Sequence, residues 1–276
     1  MPLNVFDSKA LSKSAYPCDV HTHTLASRHA YSTIMECAAV AKARGLALVG
    51  STDHYSCMIS ETVDVRDYQH FINFEVWPDV IDGVRVLHGV EADIVDLEGN
   101  LFGWDIRLPY TLTGHAAREG MTLKGMVMPH ADYVIASIHD DTFCEGASLS
   151  ETTAMYIGAL EQPEVAILGH IGRSGVPFDL DEVLIAARDL HKLIEINEHS
   201  FADRYDIGRR THCRDIAVRC AELGVSISVG TDAHIATDVG DFRRTHALLT
   251  EIDFPEELNA CADMERFLSY VPTVRS

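Results

Sequence analysis

Seven short apolar runs recur along the chain: Cys18–His21, Leu46–Ser51, Val84–Val90, Tyr133–His139, Val165–His170, Leu193–Asn197 and Val225–Thr231. They are rich in valine and isoleucine and separated by helical patterns, as buried parallel strands in βα units are. Thr33 to Arg44 is one such helix, with Thr33-x-x-Glu36 as a capping box and Gly45 as its stop. Residues 67–82, 150–161, 179–191, 211–223 and 239–251 fit the other crossovers, and a helical pair follows them. Seven strand–helix units predict an α/β fold, a distorted (β/α)7 barrel one strand short of the usual eight, in one domain over 1–276. The irregular stretch at about 93–129 is too long for a plain loop and reads as a lid, an insertion or a structural flap.

Composition narrows the partners. The chain has 276 residues, is 47% hydrophobic, and sets 22 Lys+Arg against 42 Asp+Glu for a net charge of −20. Such an acidic chain repels nucleic-acid phosphates and anionic membrane surfaces, so neither polymer nor bilayer is an expected partner. Seven scattered cysteines without a C-x-x-C pair speak for reduced thiols and a cytoplasmic setting, and against thiolate zinc. Met1 to Tyr16 has no apolar leader run, and no segment reaches the length of a membrane span. A soluble protein is expected.

The 15 histidines change the picture through where they fall. His21 and His23 end the first strand in Asp19-Val-His-Thr-His, and alternation points both the same way. Thr52-Asp53-His54 ends the second strand and Glu91 the third. His139 ends the fourth, His170 the fifth, and Asp232 with His234 the seventh. In a βα barrel all of these reach one face, the C-terminal mouth where sites are built. Imidazole plus carboxylate at one rim suits Zn²⁺, Mn²⁺ or Fe²⁺ in a multinuclear site. Asp19 and Asp53, beside ligand-type histidines, are either acceptors that fix imidazole tautomers or plain strand-end hydrogen bonders. His70, His88, His115, His130, His191, His212 and His246 read as structural or surface residues.

The motifs Asp-Val-His-Thr-His, Ser-Thr-Asp-His, Gly-Val-Glu-Ala-Asp, Ser-Ile-His, Gly-His and Gly-Thr-Asp-Ala-His resemble those of the PHP (polymerase and histidinol phosphatase) family. The stretch from His21 to Ser32, Phe71-Ile-Asn to Trp77-Pro-Asp-Val, and Glu195-Ile-Asn are similar to its single-domain, YcdX-type phosphatase branch. The resemblance implies a distorted seven-stranded barrel holding three divalent metals, zinc first, with manganese or iron as alternatives. It implies His21, His23, Glu91 and Asp232 around one metal. Shared Glu91 with His139 and His170 would hold the second, and His29, His54 and His234 the third. It also suggests self-association as a trimer. The chain departs from the pattern at Gly-His170-Ile-Gly-Arg, at Glu198-His199 and between Glu91 and His139, so specificity is not carried over.

The reaction expected of such a site is hydrolysis of a phosphate monoester of a small metabolite by a hydroxide between two metals bridged by Glu91. Arg173 and Arg28 are the candidates to clamp phosphate oxygens. His199 is the candidate acid for the leaving oxygen, with Asp232 as the other proton carrier. Two further readings stand beside it: a phosphodiesterase acting on a cyclic or nucleotide ester, and a non-catalytic metal-binding PHP module. Gly172-Arg-Ser-Gly175 falls one residue short of a nucleophile elbow and reads as a turn.

Overall fold

A computed structural model describes residues 11–60 and 63–272. Met1–Ala10, most of the stretch read above as lacking a leader, lies outside the described residues. The strands form where the apolar runs place them: β1 (Cys18–Thr22), β2 (Leu48–Ser51), β3 (Val84–Asp93), β4 (Tyr133–Ser137), β5 (Val165–Leu168), β6 (Leu193–Asn197) and β7 (Ile227–Gly230). They pair in parallel in chain order. Arg85 apart, every residue in them is buried, which is why the runs are continuously apolar rather than alternating.

The circle is joined at the C-terminal mouth. Asp232 N donates to His21 O at 2.8 Å, and His23 N to Ala233 O at 2.9 Å. The sheet is therefore a nearly closed, distorted barrel. Two irregularities shape its rim. β3 pairs through Arg85–His88 with β2 but through Gly89–Asp93 with β4. β2 breaks after Ser51, and the pair His54–Tyr55 resumes the ladder with His54 directly opposite Glu91.

Five longer helices cover the outside: α1 (Ile34–Arg44), α2 (Leu149–Glu161), α3 (Leu180–Asp189), α4 (Ile207–Leu223) and α5 (Arg243–Glu251). The α1 capping box is present: Thr33 N donates to the Glu36 carboxylate at 2.7 Å, and Glu36 N to Thr33 Oγ1 at 3.3 Å. Gly45 ends the helix at φ 82°, a conformation that favours glycine. α4 starts earlier than its apolar pattern predicts because Asp206 caps it, accepting from Arg209 N at 3.0 Å.

Two segments predicted as helical do not form as such. Residues 67–82 break into short turns (Val65–Tyr68, Gln69–Ile72, Phe74–Val76) and a two-residue strand, Val80–Ile81, antiparallel to β3. Pro78 drives Trp77 into an extended conformation (φ −88°, ψ 137°), which ends any helix there. The C-terminal pair is two 3-10 turns and the short helix Met264–Leu268. There the Arg266 guanidinium takes the carbonyls of Glu256 and Asn259 at 2.7 and 2.9 Å. Between β3 and β4 the chain makes isolated antiparallel bridges (Ile94 with Leu101, Arg107 with Thr122, Tyr110 with Ala116) before helix Leu123–Val127. Leu101, Phe102, Leu108 and Leu123 of this stretch are buried in the main apolar core.

Candidate metal centre at the barrel mouth

Glu91, near the mouth end of β3, is the hub. Its Oε2 lies 3.4 Å from His21 Nε2, 3.5 Å from His23 Nε2 and 2.8 Å from His54 Nδ1. Its Oε1 lies 2.8 Å from His170 Nε2 and 3.5 Å from His139 Nε2, and accepts from Ser137 Oγ at 2.8 Å. Asp232 approaches from β7, with Oδ1 3.1 Å from His23 Nε2 and 3.9 Å from His21 Nε2. At the rim His29 and His234 point their Nε2 atoms at each other, 2.9 Å apart. The mouth thus brings together all nine residues predicted as ligands. His170 and Asp232 reach it at positive φ, 29° and 55°, where non-glycine residues are uncommon and strain collects at sites. Close packing beneath them requires Gly230: a Cβ there would come within 2.4 Å of His21 Cβ and 2.5 Å of Glu195 Oε1.

Behind these side chains stands a ring of partners that fixes tautomers. His21 Nδ1 is 2.7 Å from Glu195 Oε1, and His139 Nδ1 is 2.6 Å from Asp93 Oδ1. Each carboxylate favours a proton on Nδ1 and turns Nε2 toward Glu91, the orientation a metal ligand needs. Glu195 also accepts from His170 N at 2.9 Å. Sequence reasoning gave neither acid a role, although alternation puts Asp93 on the same face of β3 as Glu91. Asp53 acts at one remove. It accepts from Thr24 N, Thr24 Oγ1 and Ser27 Oγ at 2.6, 2.8 and 2.6 Å, and Ser27 Oγ sits 3.0 Å from His23 Nδ1. Asp19 bonds Thr231 and Gly240 N instead, a strand-end role. His70, read as ordinary, places Nε2 3.3 Å from Asp53 Oδ2.

Electrostatics follow the geometry. Burial alone would lift the Glu91 carboxyl, but His21, His139 and His54 outweigh it and hold it well below the usual range. Asp232 is likewise held well below by Arg173 and His21 despite burial. Burial depresses His23 to about 3, whereas the Glu91 and Asp93 carboxylates outweigh it at His139 and raise that ring to about 9.

A cavity of about 410 Å³ opens above the cluster, lined by His29, His54, Met58, His139, Arg173, His199, Arg204, Tyr205, Asp232 and His234. Arg173 donates to Asp232 Oδ2 at 2.9 Å, and His199 Nδ1 lies 3.7 Å from the same oxygen. Arg28 is outside this lining: it is exposed and reaches Asp67 at 3.4 Å. No lining residue comes from 93–129. Arg204 and Tyr205 had no sequence signal beyond sharing a loop with His199. Glu198, where small polar residues were expected, anchors that loop: it accepts from Arg244 N and Thr245 N at the start of α5, which lacks a cap of its own.

The donor chemistry fits divalent metals. Glu91 Oε2 and His54 Nδ1 are fully enclosed and 2.8 Å apart, yet neither completes a hydrogen bond. Such convergence of lone pairs in a buried site is costly unless a cation shares them. Four groups of three donors have their atoms within 4.8 Å of one another: His21/His23/Glu91, His54/Glu91/His139, His23/His54/His234 and His199/Asp232/His234. Imidazoles and carboxylates without thiolates suit zinc, manganese or iron.

Fold and site together define a class: a parallel βα barrel with a histidine–carboxylate centre at its C-terminal mouth. Within that class the chain belongs to the PHP domain family, whose model matches residues 19–204. It is 37% identical over 253 residues to a probable phosphatase of Acetivibrio thermocellus, covering 92% of this chain and 94% of that protein. A probable phosphatase of Caldanaerobacter subterraneus subsp. tengcongensis is 37% identical over 257 residues, covering 93% of this chain and 91% of the other. Among solved structures, the histidinol phosphate phosphatase of Lactococcus lactis subsp. lactis, complexed with zinc, L-histidinol and phosphate, superposes with a TM-score of 0.53. That match covers 87% of this chain and 95% of the other at 18% identity, a likeness of fold. Among the described residues no helix is long and apolar enough to cross a membrane.

Proposed function

We propose that the protein is a metal-dependent phosphatase that hydrolyses phosphate monoesters of small metabolites, with three divalent ions per chain and zinc as the first choice. The observation that carries this reading is the crowding of five imidazole nitrogens within 3.5 Å of one buried carboxylate, Glu91. His21, His23, Glu91 and Asp232 would hold one ion; Glu91, His139 and His170 the second; His29, His54 and His234 the third. Bound ions supply Lewis acidity toward the phosphoryl group and make water acidic enough to attack near neutral pH. Arg173 orients a phosphoryl oxygen from the cavity wall, its guanidinium held in place by Asp232. His199, whose Nδ1 lies 3.7 Å from the same Asp232 carboxylate, hands a proton to the leaving alkoxide. Asp232 serves that role less well, because its neighbours keep it ionised. The enzyme works as one domain, and seven free cysteines fit a reducing cytoplasm. Self-association as a trimer rests on resemblance to the phosphatase branch.

The test is metal analysis of zinc-loaded protein together with rates on 4-nitrophenyl phosphate and bis(4-nitrophenyl) phosphate. Three ions per chain and a monoester preference are expected. One ion or none would overturn the trinuclear reading. A diester preference would make the protein a phosphodiesterase, and no turnover of either would leave a metal-binding module.

A further inference from the structure

We infer that the loop after β6 recognises a second anionic group on the substrate, with Arg204 as the residue that binds it and Tyr205 as the spacer that positions it. The inference rests on the phosphatase reading above and names the chemistry of the alcohol half of the ester.

Two guanidinium groups line the cavity, and they are not equivalent. Arg173 is mostly buried and already pairs with Asp232, 2.9 Å away. Arg204 is exposed and forms no ion pair among the described residues; its contacts are Tyr205 OH at 3.4 Å and His199 Nδ1 at 3.5 Å. Neighbouring arginines behave differently: Arg209 pairs with Asp206 and Arg210 with Asp203. In a chain of net charge −20, an arginine left uncompensated at a cavity lip marks a place where the ligand supplies the anion.

Tyr205 sets the separation. Its ring centre lies 5.2 Å from the Arg204 guanidinium carbon and 5.9 Å from that of Arg173. Both guanidinium groups thus lie against one aromatic ring, Arg173 on the side of Asp232 and Arg204 on the loop after β6. A phosphoryl group beside Arg173 would leave the rest of the substrate in the same cavity as Tyr205 and Arg204. The cavity, about 410 Å³, lies in the range of small-molecule sites and is far larger than a phosphate alone needs. Glu198 ties the start of this loop to α5 through Arg244 N and Thr245 N.

The recognised chemistry is a phosphate monoester with a carboxylate or second phosphate a few atoms away. The experiment compares kcat/KM for 3-phosphoglycerate, which has that carboxylate, and glycerol 1-phosphate, which lacks it. The comparison is made in metal-loaded wild type, Arg204→Met and Arg204→Lys, with 4-nitrophenyl phosphate as the reference monoester. Wild type should favour 3-phosphoglycerate. Arg204→Met should shrink that preference about fivefold, mainly through KM, the scale of one solvent-accessible charge pair. Arg204→Lys should restore part of it while both variants melt like wild type. A wild-type preference for glycerol 1-phosphate, or a preference untouched by Arg204→Met, would overturn the assignment while the phosphatase reading stands. Failure of wild type on all three esters would instead remove the phosphatase reading, and this inference with it.

Discussion

The donors packed against Glu91 and the pair at the rim use the same imidazole chemistry but are held by different means. In the inner group His21 is backed by the Glu195 carboxylate and His139 by that of Asp93. At the rim His234 Nδ1 meets the Asp232 carbonyl at 2.9 Å, and His29 is backed by the Ser27 backbone. A carboxylate partner raises the basicity of the ligating nitrogen more than a neutral carbonyl, and burial removes competing water. On the proposed three-ion reading, the ions beside His21 and His139 would be held more tightly than the one at the rim.

Removing the hub should produce the largest effect. Glu91→Ala, or the closer Glu91→Gln, should cost roughly 10³-fold or more in turnover, the scale of losing a group that organises the reacting centre. Metal content should fall with it, because five imidazoles lose their common neighbour. A variant with wild-type rate and full metal content would break the comparison at its root. The next effect separates the two groups. Glu195→Gln should weaken inner metal affinity by about 10–100-fold. His29→Ala should lose one ion per chain and leave the others in place. Stepwise dialysis against a chelator, followed by elemental analysis, reads both. If the rim ion outlasts the inner ones in wild type, carboxylate backing is not what grades the site.

Much of this was legible in the chain because barrels convert order into place. Once the apolar runs are strands, each residue at a strand's C-terminal end must reach the mouth, so His21, Glu91, His139, His170 and Asp232 could be gathered without coordinates. His29 lies beyond its strand, and only likeness to a family pointed to it. Asp93 and Glu195 were readable in principle from period-two alternation, but a search for ligands passes over their partners. Arg204 and Tyr205 were not readable, since a loop has no period and its start is fixed by a distant contact, that of Glu198 with α5. Arg28 shows the converse: at φ 69° the chain turns it outward to Asp67, away from the cavity its sequence neighbours suggest. Residues 67–82 carry a helical pattern that Pro78 and the aromatic cluster on His88 override.

Asp53 offers the smallest effect and the sharpest test of how the two groups are joined. Through Ser27 it supports His23 on the inner side, and Ser27 Oγ also accepts from His54 N at 3.1 Å. Burial would raise this carboxyl, but His70, His23 and the Ser27 hydroxyl outweigh it and hold it well below the ordinary value. The unfolded chain therefore binds the proton more readily than the folded one. Stability contributed by Asp53 is then fully present above the ordinary aspartate value of about 3.9 and drains away as pH falls below it. In metal-free protein, Asp53→Asn should cost about 1–3 kcal/mol at pH 7, the scale of a buried hydrogen-bonded group left badly paired. Denaturant titrations at steps from pH 7 to 3 should show that difference shrinking at the acid end. A gap that stays constant across the range would mean that Asp53 acts through shape, with its charge contributing nothing to the link between the inner ring and the rim.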